Sequence, residues 1–144
     1  MTELYSPFRP RLARVVTLGI AGVVVLLTAA LLLALPELPA LDKSGFAGLA
    51  VLLVWFCWRQ AAVVAVPDAD GLTVRNLLLE RRLDWADIVS VRFGQGRPWV
   101  QLDLADGDTL AVMGIQRSDG RFASQEARRL ATLVAHHTAT GRDD

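Results

Sequence analysis

The pattern of hydrophobic and polar positions divides the chain into two parts. Residues 15–35 contain no charged side chain, and a second apolar run occupies residues 45–58. Beyond Arg59 the pattern changes to short segments in which apolar and charged residues alternate, separated by Gly, Pro and Asp. A helix over residues 15–35 is long enough to cross the roughly 30 Å hydrocarbon core of a bilayer. The sequence therefore predicts a membrane-inserted N-terminal part and one small folded domain after it.

The two apolar runs predict a transmembrane helical hairpin over residues 15–60. The first run is longer than the apolar segment of a signal peptide, which favours a retained anchor. The second run spans only about 21 Å as a helix, so the predicted span is extended to residues 44–60, with Arg59 reaching the interface. The alternative for this second run is a buried core helix of a soluble protein.

The charges beside the two spans predict their orientation. Arginines precede the first span and follow the second, whereas the connecting loop contains Glu37, Asp42 and Lys43. The positive-inside rule then places both termini in the cytoplasm of a multi-pass protein of the inner (plasma) membrane. The predicted interface anchors are Arg9, Arg11, Arg14, Trp55, Trp58 and Arg59.

The second part has the period-two pattern of a small antiparallel β-domain. Strands are predicted at residues 61–66, 72–75, 77–83, 88–93, 99–104 and 109–115, with room for a seventh, and an amphipathic helix at residues 122–137. Alternation within the third predicted strand places Leu77, Leu79 and Leu83 on one face, with Arg81 interrupting it. Alternation within the fourth places Val89, Val91 and Phe93 on one face. The predicted core residues are Trp85, Ile88, Phe93 and Leu130. The fold class is α+β, a sandwich or partly open barrel with a helix across one end.

These elements predict four segments of the 144-residue chain. Residues 1–14 form a cytoplasmic N-terminal segment, residues 15–60 the hairpin, residues 61–138 the β-domain, and residues 139–144 a polar tail.

Charge and cysteine content narrow the classes of function. The chain has 15 basic and 15 acidic residues, which is not the net positive balance of a nucleic-acid-binding protein. The single cysteine, Cys57, cannot form an intramolecular disulfide or a cysteine metal cluster. We expect no cofactor.

Candidate catalytic or metal-binding residues have simpler structural explanations. Asp103, Asp106 and Asp108 do not follow the order of a calcium-binding EF-hand loop and fit turn chemistry instead. His136 and His137 are adjacent on a helix and point about 100° apart, which favours helix C-terminal cations or surface residues. The sequence therefore predicts no enzyme, no metal site and no small-molecule substrate.

Three sequence strings carry a resemblance to a known family. They are DGLTVRN at residues 70–76, DWADIVSVRF at 84–93 and LDLADGDTLAVMGIQRSDG at 102–120. With two preceding spans and a final helix, the chain resembles the bacterial pleckstrin-homology (PH) domain membrane proteins, in particular the group named for low molecular weight protein antigen 6. The resemblance implies a PH-like sandwich of about seven strands closed by a C-terminal helix, and it brings no catalytic residues.

The resemblance also bears on which ligand the domain can bind. Phosphoinositide-binding PH domains place basic residues around the first hairpin, whereas the corresponding turn here contains Asp68 and Asp70. Arg75, Arg81 and Arg82 are the predicted contacts to anionic lipid headgroups, the alternative being a solvated or ion-paired strand face.

The function predicted from the sequence is non-enzymatic. The expected role is an integral membrane protein that presents a cytoplasmic PH-like domain as a docking module for a protein or for the membrane surface. The alternative is a small accessory subunit of a larger membrane complex, in which the hairpin is the interacting part. The expected partners are the lipid bilayer and an unidentified protein.

Overall fold

The computed structural model describes residues 2–94 and 96–140, and the chain divides into two compact units. One unit is the helical segment Ala13–Ala62. The other unit, called here the domain, joins the N-terminal segment up to Leu12 with the chain from Val63 onward. Residues 141–144 of the predicted polar tail lie outside the described residues.

The helical unit consists of two long apolar helices, α1 (Leu12–Ala34) and α2 (Ala40–Ala61). Both are long and apolar enough to cross a membrane. Pro36 and Pro39 separate them, because proline cannot continue a helix, and the Lys43 ammonium donates to the Pro36 carbonyl across the loop at 2.9 Å. α2 begins before the predicted second span and therefore includes Asp42 and Lys43 in its first turn.

The domain contains two three-stranded antiparallel sheets and a C-terminal helix. The first sheet has the order β1-β2-β3 and the second has the order β4-β5-β6. The elements are β1 (Val64–Pro67), β2 (Gly71–Arg75), β3 (Glu80–Asp84), a 3₁₀ turn (Trp85–Asp87), β4 (Ile88–Arg92), β5 (Trp99–Leu104), β6 (Thr109–Gln116), a 3₁₀ turn (Arg117–Asp119) and α3 (Arg121–Thr140). The α+β class is confirmed, but the described residues form two sheets rather than a closed barrel.

Two strand boundaries differ from the prediction for local reasons. Residue 61 ends α2, so β1 begins only at Val64. The predicted third strand loses its first three residues to a turn, in which the Asn76 amide donates to the Leu79 carbonyl at 2.7 Å. Leu79 is therefore 70% exposed, whereas Leu83, which was predicted on the same face, is 2% exposed.

A β-bulge changes which residues of β4 face the core. The register to β5 shifts between Ile88 and Ser90, and an extra residue in one strand reverses the faces of the residues before it. Ile88 is consequently buried while Val89 is 65% exposed, so the predicted common face of Val89 with Val91 and Phe93 was wrong. Val91 and Phe93 pack at the margin of the core.

The core lies between the two sheets and α3. Alternate residues of β2 and β5 point inward, and the buried positions of α3 recur every three or four residues. Trp85 and Leu130 are both buried in this core, and the Trp85 indole N–H donates to the Asp68 carbonyl at 3.0 Å. A buried indole with a satisfied N–H is a typical core anchor.

The N-terminal segment completes the first sheet. Phe8 forms an antiparallel bridge with Ala65, with backbone N···O distances of 2.8 and 3.0 Å, and its side chain is fully buried. The Arg129 guanidinium lies 3.8 Å from the centre of the Phe8 ring and donates to the carbonyls of Leu4 and Ser6. Gly114 of β6 allows the N-terminal segment to lie this close, since a Cβ at position 114 would lie 2.6 Å from the Phe8 carbonyl oxygen.

Candidate functional site

The turns of the domain lie at two opposite ends, because antiparallel strands reverse direction at each turn. The chain comes from α2 into β1 at Val64, and Val64 pairs with Arg75, the last residue of β2. We call this the linker end of the domain; it includes residues 76–79, which connect β2 to β3. The opposite end, called the far end, includes the β1–β2 turn at residues 68–70 and the Trp85–Asp87 turn after β3.

Hydrogen bonds show that the second sheet has the same two ends. At the linker end, the Asp119 carboxylate accepts hydrogen bonds from the backbone amides of Arg11 and Leu12 at 2.9 and 2.8 Å. At the far end, the Ala105 amide of the β5–β6 turn donates to the Asp87 carbonyl at 2.8 Å. The β4–β5 loop therefore belongs to the linker end, where the Pro98 carbonyl accepts a bond from the Arg117 amide at 2.8 Å.

The two ends differ in charge and polarity. The turns of the far end contain no basic residue, and aspartates lie in these turns or directly before them: Asp68, Asp70, Asp84, Asp87, Asp106 and Asp108. The linker end has more basic residues than acidic ones: it includes Asp119, whose carboxylate accepts two backbone hydrogen bonds, and the arginines Arg9, Arg11, Arg97, Arg117 and Arg121. It also has the apolar turn of residues 77–79, in which Leu78 and Leu79 are 71% and 70% exposed. The linker end is therefore the better candidate for contact with an anionic, partly apolar surface.

The three predicted lipid-contact arginines are not brought together. Arg75 and Arg82 lie on the outer face of the first sheet, whereas Arg81 pairs with Val74 on the opposite face. Each arginine also has an acidic partner: Arg75 contacts Glu80 at 2.6 Å, Arg81 contacts Asp106 at 3.5 Å, and Arg82 forms a two-pronged contact with Asp68. Only Arg75 lies beside the linker end, so the structure supports the ion-paired alternative for Arg81 and Arg82.

Asp68 organises the far end around its carboxylate. It accepts hydrogen bonds from the Arg82 guanidinium and from the backbone amides of Asp70 and Gly71. These contacts, with that of Arg82 the largest, hold the pKa of Asp68 well below its usual value. The same contact raises the pKa of Arg82. A phosphate at this turn would meet a fixed negative charge, which disfavours the phosphoinositide-binding arrangement of other PH domains.

The predicted interface anchors occupy varied positions. Trp55 and Trp58 on α2 are 47% and 58% exposed, and Arg59 lies in the last turn of α2. Arg9 and Arg14 are positioned on either side of the start of α1. Arg11 has a further contact within the domain, because its guanidinium lies 3.7 Å from the centre of the Phe122 ring.

Asn76 connects the two sheets through its side chain, a role that was not predicted from the sequence. Its side chain is buried; the amide nitrogen donates to the Ala111 carbonyl at 2.7 Å and the amide oxygen accepts from the Met113 amide at 3.1 Å. Asn76 thus forms hydrogen bonds with the backbone at the edge of β6, where a neighbouring strand would otherwise form them. Its position directly after β2, in the string DGLTVRN, is the signal that could have identified it.

His137 belongs to an aromatic cluster rather than to the surface. Its ring stacks on Trp85 with centres 4.7 Å apart, and its Nε2 lies 2.9 Å from the Tyr5 hydroxyl oxygen. Burial, followed by the nearby His136, lowers the pKa of His137. Among the described residues, no group of three or more His, Cys, Asp or Glu side chains is placed to hold a metal ion.

The helical unit contains an open apolar groove between its two helices. The groove has a volume of about 590 Å³. Its lining includes small side chains from both helices, among them Thr28, Ala29, Ala47 and Ala50, together with Trp55 and Trp58. Small residues at such a position allow the close approach of another helix.

Comparison with known proteins gives a family match and uncharacterized relatives. A bacterial PH domain family model matches residues 62–132. Uncharacterized proteins of Mycobacterium bovis and of two strains of Mycobacterium tuberculosis are each 37% identical to this chain over 67 residues, which is 46% of this chain. The matched region spans 44% of the length of each relative. No solved structure matches.

Proposed function

Because residues 62–132 belong to the bacterial PH domain family, as the resemblance predicted, we propose that the chain is a membrane-anchored docking protein without a catalytic role. In this proposal α1 and α2 cross the inner membrane as a hairpin. Both termini are cytoplasmic, and the domain docks at the inner surface of the membrane through its linker end. The far end is then presented to the cytoplasm, where an unidentified protein can bind.

The observation that carries this proposal is that both connections to the apolar helices leave the domain at one end. Phe8 runs antiparallel to β1, so the chain from Phe8 to Leu12 runs toward the same end as the start of β1. Val64 follows Ala61 by three residues, a reach of at most about 11 Å. If the helices span the bilayer, two short connections hold the linker end close to its surface.

The distribution of charge supports the same orientation. Arginines at the linker end would lie near the anionic headgroups of the cytoplasmic leaflet, which attract them by about 1 kcal/mol each. The aspartates of the far end would lie away from the headgroups. The positive-inside rule, applied to Arg9, Arg14 and Arg59, likewise favours the cytoplasmic side of the membrane for the domain.

Cysteine labelling of the full-length chain in cells tests this topology. In a Cys57→Ser background, single cysteines replace Glu37 in the helix connection and Ala69 at the far end, both of which are exposed. A membrane-impermeant maleimide should label the Glu37→Cys variant on intact cells and the Ala69→Cys variant only in inverted membrane vesicles. Labelling of the Ala69→Cys variant on intact cells, or release of the chain by alkaline carbonate, would contradict the proposal.

The groove between α1 and α2 favours a second candidate function. A small accessory subunit would place a helix of a larger complex against Ala47 and Ala50. Photo-crosslinking residues at Ala50 and at Ala69 separate the two functions in native membranes, with the exposed Leu26 on α1, which is not part of the groove lining, as the control. The docking function predicts that a partner is captured from Ala69. Capture from Ala50 alone would favour the accessory subunit.

A further inference from the structure

We infer that the β2–β3 turn inserts the side chains of Leu78 and Leu79 into the bilayer and so fixes the domain on the membrane surface. This inference rests on the proposed function, since it requires the helices to hold the domain at a bilayer. It assigns the membrane contact to an apolar turn rather than to the predicted arginine cluster.

The first observation is the exposure of adjacent leucines in an uncharged turn. Leu78 and Leu79 are 71% and 70% exposed, and residues 76–79 contain no ionisable side chain. Among the described residues of the domain, the other markedly exposed large apolar side chains are isolated ones: Val66 and Val89 on strands, and Leu12 where α1 begins. Single exposed apolar residues are common on protein surfaces, whereas adjacent ones at the tip of a turn indicate a contact.

The second observation is the position of the turn. Val64, where β1 begins, pairs with Arg75 of β2, and Arg75 pairs with Glu80 of β3. Arg75 and Glu80, which flank the turn, therefore lie one and two strands away from Val64. Neighbouring strands are about 4.8 Å apart. The base of the turn therefore lies within about 10 Å of Val64, which itself is within about 11 Å of the last residue of α2.

The third observation is that the turn is held in shape by its own hydrogen bonds. The Asn76 amide donates to the Leu79 carbonyl, and the Asn76 side chain is bound to the backbone of β6. The inner face of the first sheet is already filled by Leu72, Val74 and Leu83. The turn therefore cannot bury Leu78 and Leu79 by folding back onto the core, and it presents them outward from a rigid base.

A fluorescent probe at the turn tests the inference in the full-length chain. In a Cys57→Ser background, Leu79→Cys carries the environment-sensitive NBD fluorophore, and Ala69→Cys at the far end carries the same fluorophore as the matched control. Both proteins are reconstituted in phosphatidylethanolamine and phosphatidylglycerol vesicles with or without nitroxide-labelled lipids. Emission from the Leu79 site should shift to shorter wavelength and be quenched by the nitroxide lipids, and emission from the Ala69 site should show neither change.

The outcomes separate this inference from the proposed function. If both probes behave alike while the chain still resists carbonate extraction, the inference is overturned and the membrane anchor stands. If carbonate releases the chain, the proposed function fails. A shift to shorter wavelength without nitroxide quenching would show that the leucines contact protein, such as a second copy of the chain, and would also overturn the inference. An unchanged thermal unfolding profile checks that labelling has not altered the fold.

Discussion

Helices α1 and α3 have similar lengths, 23 and 20 residues, but they place their apolar side chains in opposite environments. α3 buries one stripe, formed by Ala123, Ala127, Leu130, Leu133 and Val134, against the sheets. α1 has no buried residue; a stripe that includes Val24 and Leu31 is half-buried, and most of its other valines and leucines are exposed. The apolar side chains of α3 are therefore buried within the domain, whereas most of those of α1 are exposed to whatever surrounds the helix.

The difference follows from the width of the apolar surface on each helix. A stripe with spacings of three and four residues can be covered by one sheet face. A helix that is apolar on all sides cannot be covered by a single neighbour, and its backbone is already satisfied internally, so a bilayer is the environment that suits it. Substitutions in the two parts of the chain should therefore have very different effects on the stability of the domain.

The largest effect is expected for Trp85, which stacks on His137 of α3 and is 5% exposed. Trp85→Ala should lower the free energy of unfolding of the domain by about 3–5 kcal/mol, because it leaves a large cavity in the core. Urea unfolding of the full-length chain in detergent micelles, followed by far-ultraviolet circular dichroism, measures the change. Trp58→Ala on α2 is the control and should leave the domain transition unchanged. An unaltered midpoint for Trp85→Ala would contradict the core assignment.

A matched pair of leucines tests the comparison of α1 and α3 directly. Leu130 on α3 is fully buried and Leu27 on α1 is 65% exposed. Leu130→Ala should destabilise the domain by about 2–5 kcal/mol, whereas Leu27→Ala should leave the same transition in place. Equal effects in the same urea titration would show that the two helices do not differ in the way described.

A smaller loss is expected from the polar connection between the sheets. Asn76→Ala removes both side-chain hydrogen bonds to β6 and leaves the Ala111 carbonyl and the Met113 amide without that partner. We expect a destabilisation of about 1–3 kcal/mol. Leu78→Ala, two residues away at an exposed position, is the control and should be close to neutral. Amide hydrogen exchange of Met113 should increase in the Asn76 variant, and unchanged protection would count against this role.

The smallest effect concerns pH, and it distinguishes the domain from α1, which has no titratable side chain between residues 15 and 34. The pKa of His137 is lowered by burial from its ordinary value of 6.5. The unfolded state therefore binds a proton more readily, so the stability of the domain should fall as the pH drops below 6.5 toward the folded-state pKa. In His137→Asn this pH dependence should shrink, whereas the neighbouring His136→Asn variant should keep most of it. Melting temperatures at pH 7.5 and 5.5 measure both; equal pH dependence in the two variants would contradict the assignment.

Local patterns predicted much of the domain. β5 has the predicted bounds, because its strict alternation of buried and half-buried residues matches an internal strand paired on both sides. The faces of β4 were predicted less well, because the bulge between Ile88 and Ser90 arises from the pairing of β4 with β5. The alternation of apolar and polar residues within β4 does not reveal this bulge. The exposed turn at residues 77–79 has the composition of a strand, and it became a turn because β3 had to return beside β2.

The candidate surface was predicted only in part. The arginines at 75, 81 and 82 lie within eight residues of one another in the sequence, but strand parity separates them onto two faces, and their acidic partners come from three different positions in the domain. Ion pairing was one of the predicted alternatives, but the acidic partners could not be identified from the sequence, because a charge pattern within one strand gives no information on which residues of another turn lie opposite it.

The sequence by itself determined the number and type of the elements, since helix and strand formation depend on periodicities within a few residues. The resemblance to bacterial PH domains was likewise carried by contiguous strings. Only the tertiary structure decided that Phe8 would pair with the first sheet, that Asn76 would join the two sheets, and that the aspartate-rich turns would gather at one end of the domain. These features depend on contacts between residues far apart in the chain, which form only when the sheets and α3 pack around a common core.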